Sequence, residues 1–195
     1  NPANLKEIEM SSGMPSVKDT GLVVVDFQTA LHLAMKVKIA DKNTKNTEVL
    51  IKGAKALDLP IVVTEQYPKG LGATIPPVVE ALGESYKPLE KLSFSIMGED
   101  EIKDAILALN VNNLILCGME THVCVLQSAL DLVGAGIVPH VVVDAVSSRS
   151  KQDWKVGIDS IKAGGGQVTS AETILFALLR RAAGSEFKEI SRLVK

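Results

Sequence analysis

Short runs of unbroken apolar residues alternate along this chain with longer stretches in which apolar residues return every third or fourth position. Leu22-Val23-Val24-Val25 is wholly apolar and stops at Asp26. Runs of this kind suit strands buried on both faces, as in parallel sheets. Residues 60–64, 114–117 and 138–143 repeat the pattern, 88–94 reads as extended, and Gln167-Val168 reads as a short last strand. Between them lie helical faces: Leu50, Ala54 and Leu57; Ile102, Ile106 and Leu109; Val123, Leu126, Leu130 and Val133; Trp154, Ile158 and Ile161. A weaker helix follows Pro76-Pro77, and Thr169 with Glu172 has capping-box spacing ahead of Ile174, Leu175 and Leu178. Pro68, Gly70 and Gly72 mark a loop, and Gly164-Gly165-Gly166 a helix-ending turn. The alternation predicts an α/β fold, a three-layer, doubly wound, mainly parallel six-stranded sheet. Ligands bind at the carboxyl ends of strands in such sheets. Asp26, Thr64 and Gly118 are all predicted there.

At 195 residues the chain fits one domain, by a prior of roughly 100–200 residues each. That domain is read as 20–195, behind a polar N-terminal stretch, 1–19, that is compatible with a flexible tail, a shortened targeting segment or added residues. Lysine plus arginine total 21 and aspartate plus glutamate 23, for a net charge of −2. There is no basic excess to neutralise phosphates, which argues against nucleic acid as a partner. No apolar run reaches the roughly 18 residues of a membrane helix, so no membrane partner is expected. The first residues lack the basic end and apolar stretch of a signal peptide. Two cysteines make no disulfide framework, so the expected compartment is a reducing one, the cytoplasm, with the mitochondrion as the other option.

Candidate chemistry concentrates in Cys117-Gly118-Met119-Glu120-Thr121-His122-Val123-Cys124-Val125. An apolar strand ends at Gly118, and a helix is predicted to open near Thr121 with Cys124 in its first turn. Free N–H groups at a helix start favour negative charge, which would ease loss of the thiol proton, and the thiolate is the nucleophile. Asp26 is a candidate general base at the same rim, with a turn or cap aspartate as the structural alternative. Lys91 lies among Leu92, Phe94, Ile96 and Met97, and a lysine withdrawn from water needs a carboxylate partner. Cys117, inside a strand, reads as a small core hydrophobe, and Cys124 admits the same reading. No C-x-x-C pair, HExxH motif, G-x-S-x-G elbow, dinucleotide fingerprint or P-loop occurs.

Taken together these residues resemble the isochorismatase-like cysteine hydrolases. The resemblance runs from about Gly21 through nearly all of the chain. Val25-Asp26-Phe27-Gln28 looks like the family's aspartate motif, Lys91 with Phe94-Ser95 its lysine motif, and 118–125 its cysteine motif. Residues 64–72, 141–150 and 187–190 are similar to the eukaryotic isochorismatase domain-containing proteins. The resemblance implies an isochorismatase-like, Rossmann-like fold and a Cys124–Asp26–Lys91 triad. It also implies a cis peptide at Met119–Glu120, an oxyanion hole from the N–H groups of Glu120 and Cys124, and homo-oligomers, dimeric or tetrameric. Phe27, Gln28, Tyr67, Phe94 and His122 are the candidate pocket residues. The metal-binding relatives carry an Asp-x-His motif where this chain has Thr64-Glu65-Gln66-Tyr67, which implies a site with no metal and no cofactor. The expected function is hydrolysis of a small amide, carbamoyl or related acyl substrate through a thioester. The alternative is a catalytically silent scaffold of the same fold.

Overall fold

In the computed structural model, which describes residues 14–195, β1 (Thr20–Val25) is buried at every position. It sits at the centre of a sheet ordered β3-β2-β1-β4-β5-β6, every pairing parallel. The other strands are β2 (Ile61–Gln66), β3 (Leu89–Lys91), β4 (Asn113–Met119), β5 (Val138–Ser147) and β6 (Gln167–Thr169). The helices are α1 (Thr29–Leu33), α2 (Val37–Ala56), α3 (Pro68–Leu71), α4 (Pro76–Leu82), α5 (Asp100–Ala108), α6 (Leu126–Gly134), α7 (Lys151–Ala163), α8 (Ala171–Leu179) and α9 (Ser185–Leu193). The period-2 alternation of a strand divides β1 between two cores. Leu22 and Val24 pack with Leu50, Ile51, Val78 and Ile174 on the side of α2, α4, α8 and α9. Val23 and Val25 pack with Ile102, Ala129 and Ile158 on the side of α5, α6 and α7. This is the expected doubly wound sheet, and the apolar runs formed strands because both of their faces are covered.

Some local expectations give way to tertiary structure. Strand β5 continues past Asp144 to Ser147, and its register against β4 shifts between Leu116 and Gly118. The cap of α8 is Ser170, whose side chain accepts from Thr173 N, one position beyond the predicted Thr169. The inward face of α6 and the turn before it is Cys124, Val125, Ser128, Ala129 and Leu132, whereas Leu130 of the predicted stripe is exposed. Of the N-terminal stretch, 1–13 lies outside the described residues; Asp19 is tied to Asn112 N at 2.8 Å and Asn112 Nδ2 at 3.0 Å.

Gly118 marks where β4 meets the site. Its φ is +123°, and a side chain there would run into the carbonyl of Val25 on β1. Only glycine combines that backbone region with so close an approach. Gly118→Ala is therefore expected to lose about 3 kcal/mol or more. The check is a urea denaturation midpoint, or loss of folded protein on expression.

Candidate active site

Three strand ends converge on one buried corner. The chain leaves β1 at Asp26 in the left-handed region, φ +48°, which short polar side chains tolerate best. Its N–H donates to Thr64 O at 3.1 Å, and its Oδ1 accepts from Thr64 Oγ1 at 2.8 Å. Parallel pairing of β2 with β3 sets Gln66 opposite Lys91. From there Lys91 Nζ reaches Asp26 Oδ2 at 2.6 Å, both side chains fully buried. Nζ also donates to Gln66 Oε1 at 2.7 Å and to the carbonyls of Phe94 at 2.9 Å and Ser93 at 3.2 Å. The ammonium is thus compensated by one carboxylate and by oxygen dipoles, as a buried charge requires. The Oδ2 contact with Lys91 is an ion pair, not an aligned hydrogen bond.

Cys124 enters this corner from a π-helical turn, Thr121–Val125, between β4 and α6. The Met119–Glu120 peptide bond leading into it is cis. Cys124 is 5% exposed, and its sulfur lies 4.0 Å from Gln66 Oε1. Burial, followed by the Asp26 carboxylate, pushes the thiol up to about 12 against the opposing pull of Lys91. Burial also pushes Asp26 above its ordinary value, against Lys91, Thr64 and the thiol itself. The expectation that the helix start would ease ionisation therefore does not prevail: desolvation and a neighbouring carboxylate outweigh it, and the free site holds a thiol. A carboxylate with a raised pKa is the stronger base, so the pair is suited to moving a proton during attack.

The surrounding polar groups brace this corner. Glu65 Oε1 accepts from Thr74 N at 2.8 Å, Thr74 Oγ1 at 2.7 Å and Tyr86 OH at 2.9 Å, fastening the loop after β2. Glu120 Oε1 accepts from Arg149 Nε at 2.9 Å and Arg149 N at 3.3 Å. His122 Nδ1 lies 2.8 Å from Ser148 Oγ. The segment after β5 therefore holds the turn that carries Cys124.

Comparison with known proteins places the chain's family and fold. The Isochorismatase domain family model matches residues 20–173. Isochorismatase domain-containing protein 2A of Mus musculus is 38% identical over 146 residues, 75% of this chain and 69% of that protein. A Caenorhabditis elegans structure named as MAR1 ribonuclease superposes with a TM-score of 0.86 at 36% identity, covering 93% of this chain and 92% of that one. The Escherichia coli YcaC protein, named as an octameric hydrolase of unknown specificity, has a TM-score of 0.86 at 21% identity, over 94% of this chain and 90% of that one.

The chain belongs to the isochorismatase family.

Its domain is that of an isochorismatase-family hydrolase. Two residues expected to line the pocket of this isochorismatase-family domain do not. Phe27 is fully buried in the α2-side core with Met35 and Ile75, because the left-handed turn at Asp26 sends it away from Cys124. Gln28 is also fully buried. Its amide closes on backbone, donating to Gln66 O at 2.9 Å and Gly72 O at 2.7 Å and accepting from Gln66 N at 2.6 Å. Tyr67 and Phe94 are half exposed, at 51% and 50%, and each is tied to Lys91: Tyr67 N donates to Lys91 O at 2.9 Å, and Phe94 O accepts from its Nζ. Gln66, which bridges Lys91 and Cys124, was not among the expected site residues. The predicted second strand ends at Thr64, two residues short of it, and so gives no signal for Gln66.

The burial of the thiol has a measurable consequence. Iodoacetamide alkylation of Cys124 is expected to be slow at neutral pH and to climb about tenfold per pH unit up to at least pH 10, because the thiolate is scarce well below a pKa of about 12. Intact-mass kinetics across pH would check it; a plateau near neutral pH would contradict the burial argument.

Proposed function

We propose that this chain is a cysteine hydrolase that needs no metal and cleaves a C–N bond in a small amide, carbamoyl or related acyl substrate. The observation that carries the reading is the convergence of a thiol, a carboxylate and an ammonium from three distant segments, with Lys91 Nζ 2.6 Å from Asp26 Oδ2 and Gln66 between Lys91 and Cys124. Asp26 takes the thiol proton as the sulfur attacks the carbonyl carbon. The oxyanion is held by the N–H groups of Glu120 and Cys124, and such a donor contributes about 3 kcal/mol. Asp26 passes the proton to the nitrogen, the C–N bond breaks, and a thioester remains. Water, giving its proton to Asp26, attacks the thioester carbonyl; the sulfur leaves and is reprotonated. Lys91 holds the carboxylate in place through the cycle. Tyr67, Phe94 and His122 border the substrate.

The same reading includes assembly into homo-oligomers and a reducing compartment, cytosolic or mitochondrial. It is supported by Tyr67, Leu92 and Phe94, exposed apolar side chains around the site, and by two free cysteines. Among the described residues no helix is long and apolar enough to cross a membrane. A screen of small amides, ureas and carbamoyl compounds tests the activity, with rapid quenching and intact mass spectrometry to trap an acyl adduct on Cys124. A silent scaffold would give neither turnover nor adduct. The name of the Caenorhabditis elegans neighbour raises RNA as a substrate; a net charge of −2 weighs against it, and salt-dependent RNA cleavage in the same screen would support it.

A further inference from the structure

The segment that braces the Cys124 turn has a second side. Between the first half of α2, the carboxyl end of β5 and the start of α7 lies a cavity of about 450 Å³. Small-molecule sites run from roughly 300 to 1,000 Å³. The Cys124 side chain does not line it. Its apolar wall includes Ile39, Val146 and the half-buried indole of Trp154. Lys36, Lys42, Lys151 and Arg149 line it as well. Among the described residues, none of the three lysines makes an ion pair. Asp144, the one carboxylate in the lining, has Oδ1 engaged by Ala171 N at 2.9 Å at the start of α8. A chain of net charge −2 thus gathers unpaired positive charge around an apolar hollow. That combination fits a ligand with an apolar body and an anionic end.

The wall of this cavity is shared with the catalytic corner. Ser148 and Arg149 line the cavity and, from the same segment, bond His122 and Glu120. An anion near Arg149 competes with the Glu120 carboxylate for its guanidinium. Glu120 immediately precedes the turn that carries Cys124.

We propose that this cavity is a second binding site, for a small organic anion with an aromatic or other apolar body, and that Arg149 couples its occupancy to the Cys124 turn. The coupling, though not the binding, rests on the reading of Cys124 as the nucleophile.

Trp154 is the chain's single tryptophan, so binding has a direct optical readout. Benzoate is the probe, titrated against the full chain at fixed salt, with benzyl alcohol as the uncharged control and inorganic phosphate as the anion without an apolar body. The expected result is a saturable fluorescence change with benzoate, weakened about tenfold or more in Lys42→Ala/Lys151→Ala as charge is removed, and absent with benzyl alcohol. Cys124→Ala binds benzoate as the wild type does, which separates this site from the hydrolase reading. Saturating benzoate shifts the alkylation rate of Cys124 by about threefold or more, and Arg149→Gln abolishes that shift while binding persists. The proposal is overturned by any of four outcomes. These are no saturable change, equal benzoate affinity in the double lysine variant, a single-stranded oligoribonucleotide that binds these lysines where benzoate does not, and self-association that buries Trp154 and excludes benzoate. Binding without any effect on alkylation would sink the coupling alone.

Discussion

Cys124→Ala is expected to lose turnover of any amide substrate down to background, a drop on the order of 10⁴- to 10⁶-fold in kcat, as for removal of a nucleophile acting as part of a unit. Nothing else near Asp26 can replace the sulfur: Thr64 Oγ1 donates to the carboxylate, Gln66 presents an amide oxygen, and Cys117 belongs to the opposite core. The fold is expected to survive, because the substitution removes a single sulfur atom and leaves only a small void. The pH dependence gives a second, independent signature. The thiol's folded pKa, about 12, stands above its ordinary 9.0. Its contribution to stability is therefore fully present below pH 9 and lost as pH rises through 12. Cys124→Ala carries no such group, so the wild type should lose stability relative to the variant between pH 9 and 12. Assay of both proteins on one substrate, together with alkaline urea denaturation, measures the two effects separately. Turnover by Cys124→Ala near the wild-type rate would end the nucleophile reading.

The sheet was legible because its strands are buried on both faces and so carry unbroken apolar runs, as 22–25 and 114–117 do. Where a strand carries a polar residue for another purpose the pattern fails. The apolar run of β5 stops at Val143, but Asp144 lies within the strand, its carboxylate accepting from Ala171 N and its carbonyl from Asn46 Nδ2 at 2.7 Å. The inward face of α6 was misread for a related reason. The inward face mixes Val125 and Leu132 with the small Cys124, Ser128 and Ala129, so the largest apolar side chains alone do not trace it, and Ser128 Oγ accepts from Ile96 N at 3.0 Å. In the site, residue chemistry made Asp26, Lys91 and Cys124 candidates with structural alternatives still open, and it was the resemblance of their ordered motifs to a known family that joined them as a triad. Gln66 could not be singled out that way. An amide has no distinctive chemistry until pairing of β2 with β3 sets it beside Lys91. Phe27, a pocket candidate, lies fully buried in the α2-side core, beyond the left-handed turn at Asp26 that no sequence pattern announces.

Lys91→Met should destabilise the protein by about 3–5 kcal/mol, the cost of leaving one member of a buried ion pair alone. Both side chains of the pair are fully buried, so water cannot replace the ammonium. The remaining partners of the Asp26 side chain would be the Thr64 hydroxyl and the thiol. Asp26 is already raised above its ordinary 3.8 in the folded protein. Its contribution is thus fully present below pH 3.8 and lost as pH rises through the folded value, and removing Lys91 raises that value further. The urea midpoint of Lys91→Met should accordingly fall more from pH 4 to pH 8 than the wild-type midpoint does. Asp26→Asn/Lys91→Met removes both charges. Asparagine suits the left-handed backbone at position 26, so the double variant should recover most of the lost stability and most of the lost pH dependence. Neither variant should turn over substrate, since one lacks the group that holds the base and the other lacks the base. Stability and activity would then separate: on the proposed reading the pair serves proton transfer at Cys124, at some cost to the folded state. Equal destabilisation in the single and double variants would contradict this account, because the loss would then come from the packing of the lysine stem and not from a stranded carboxylate.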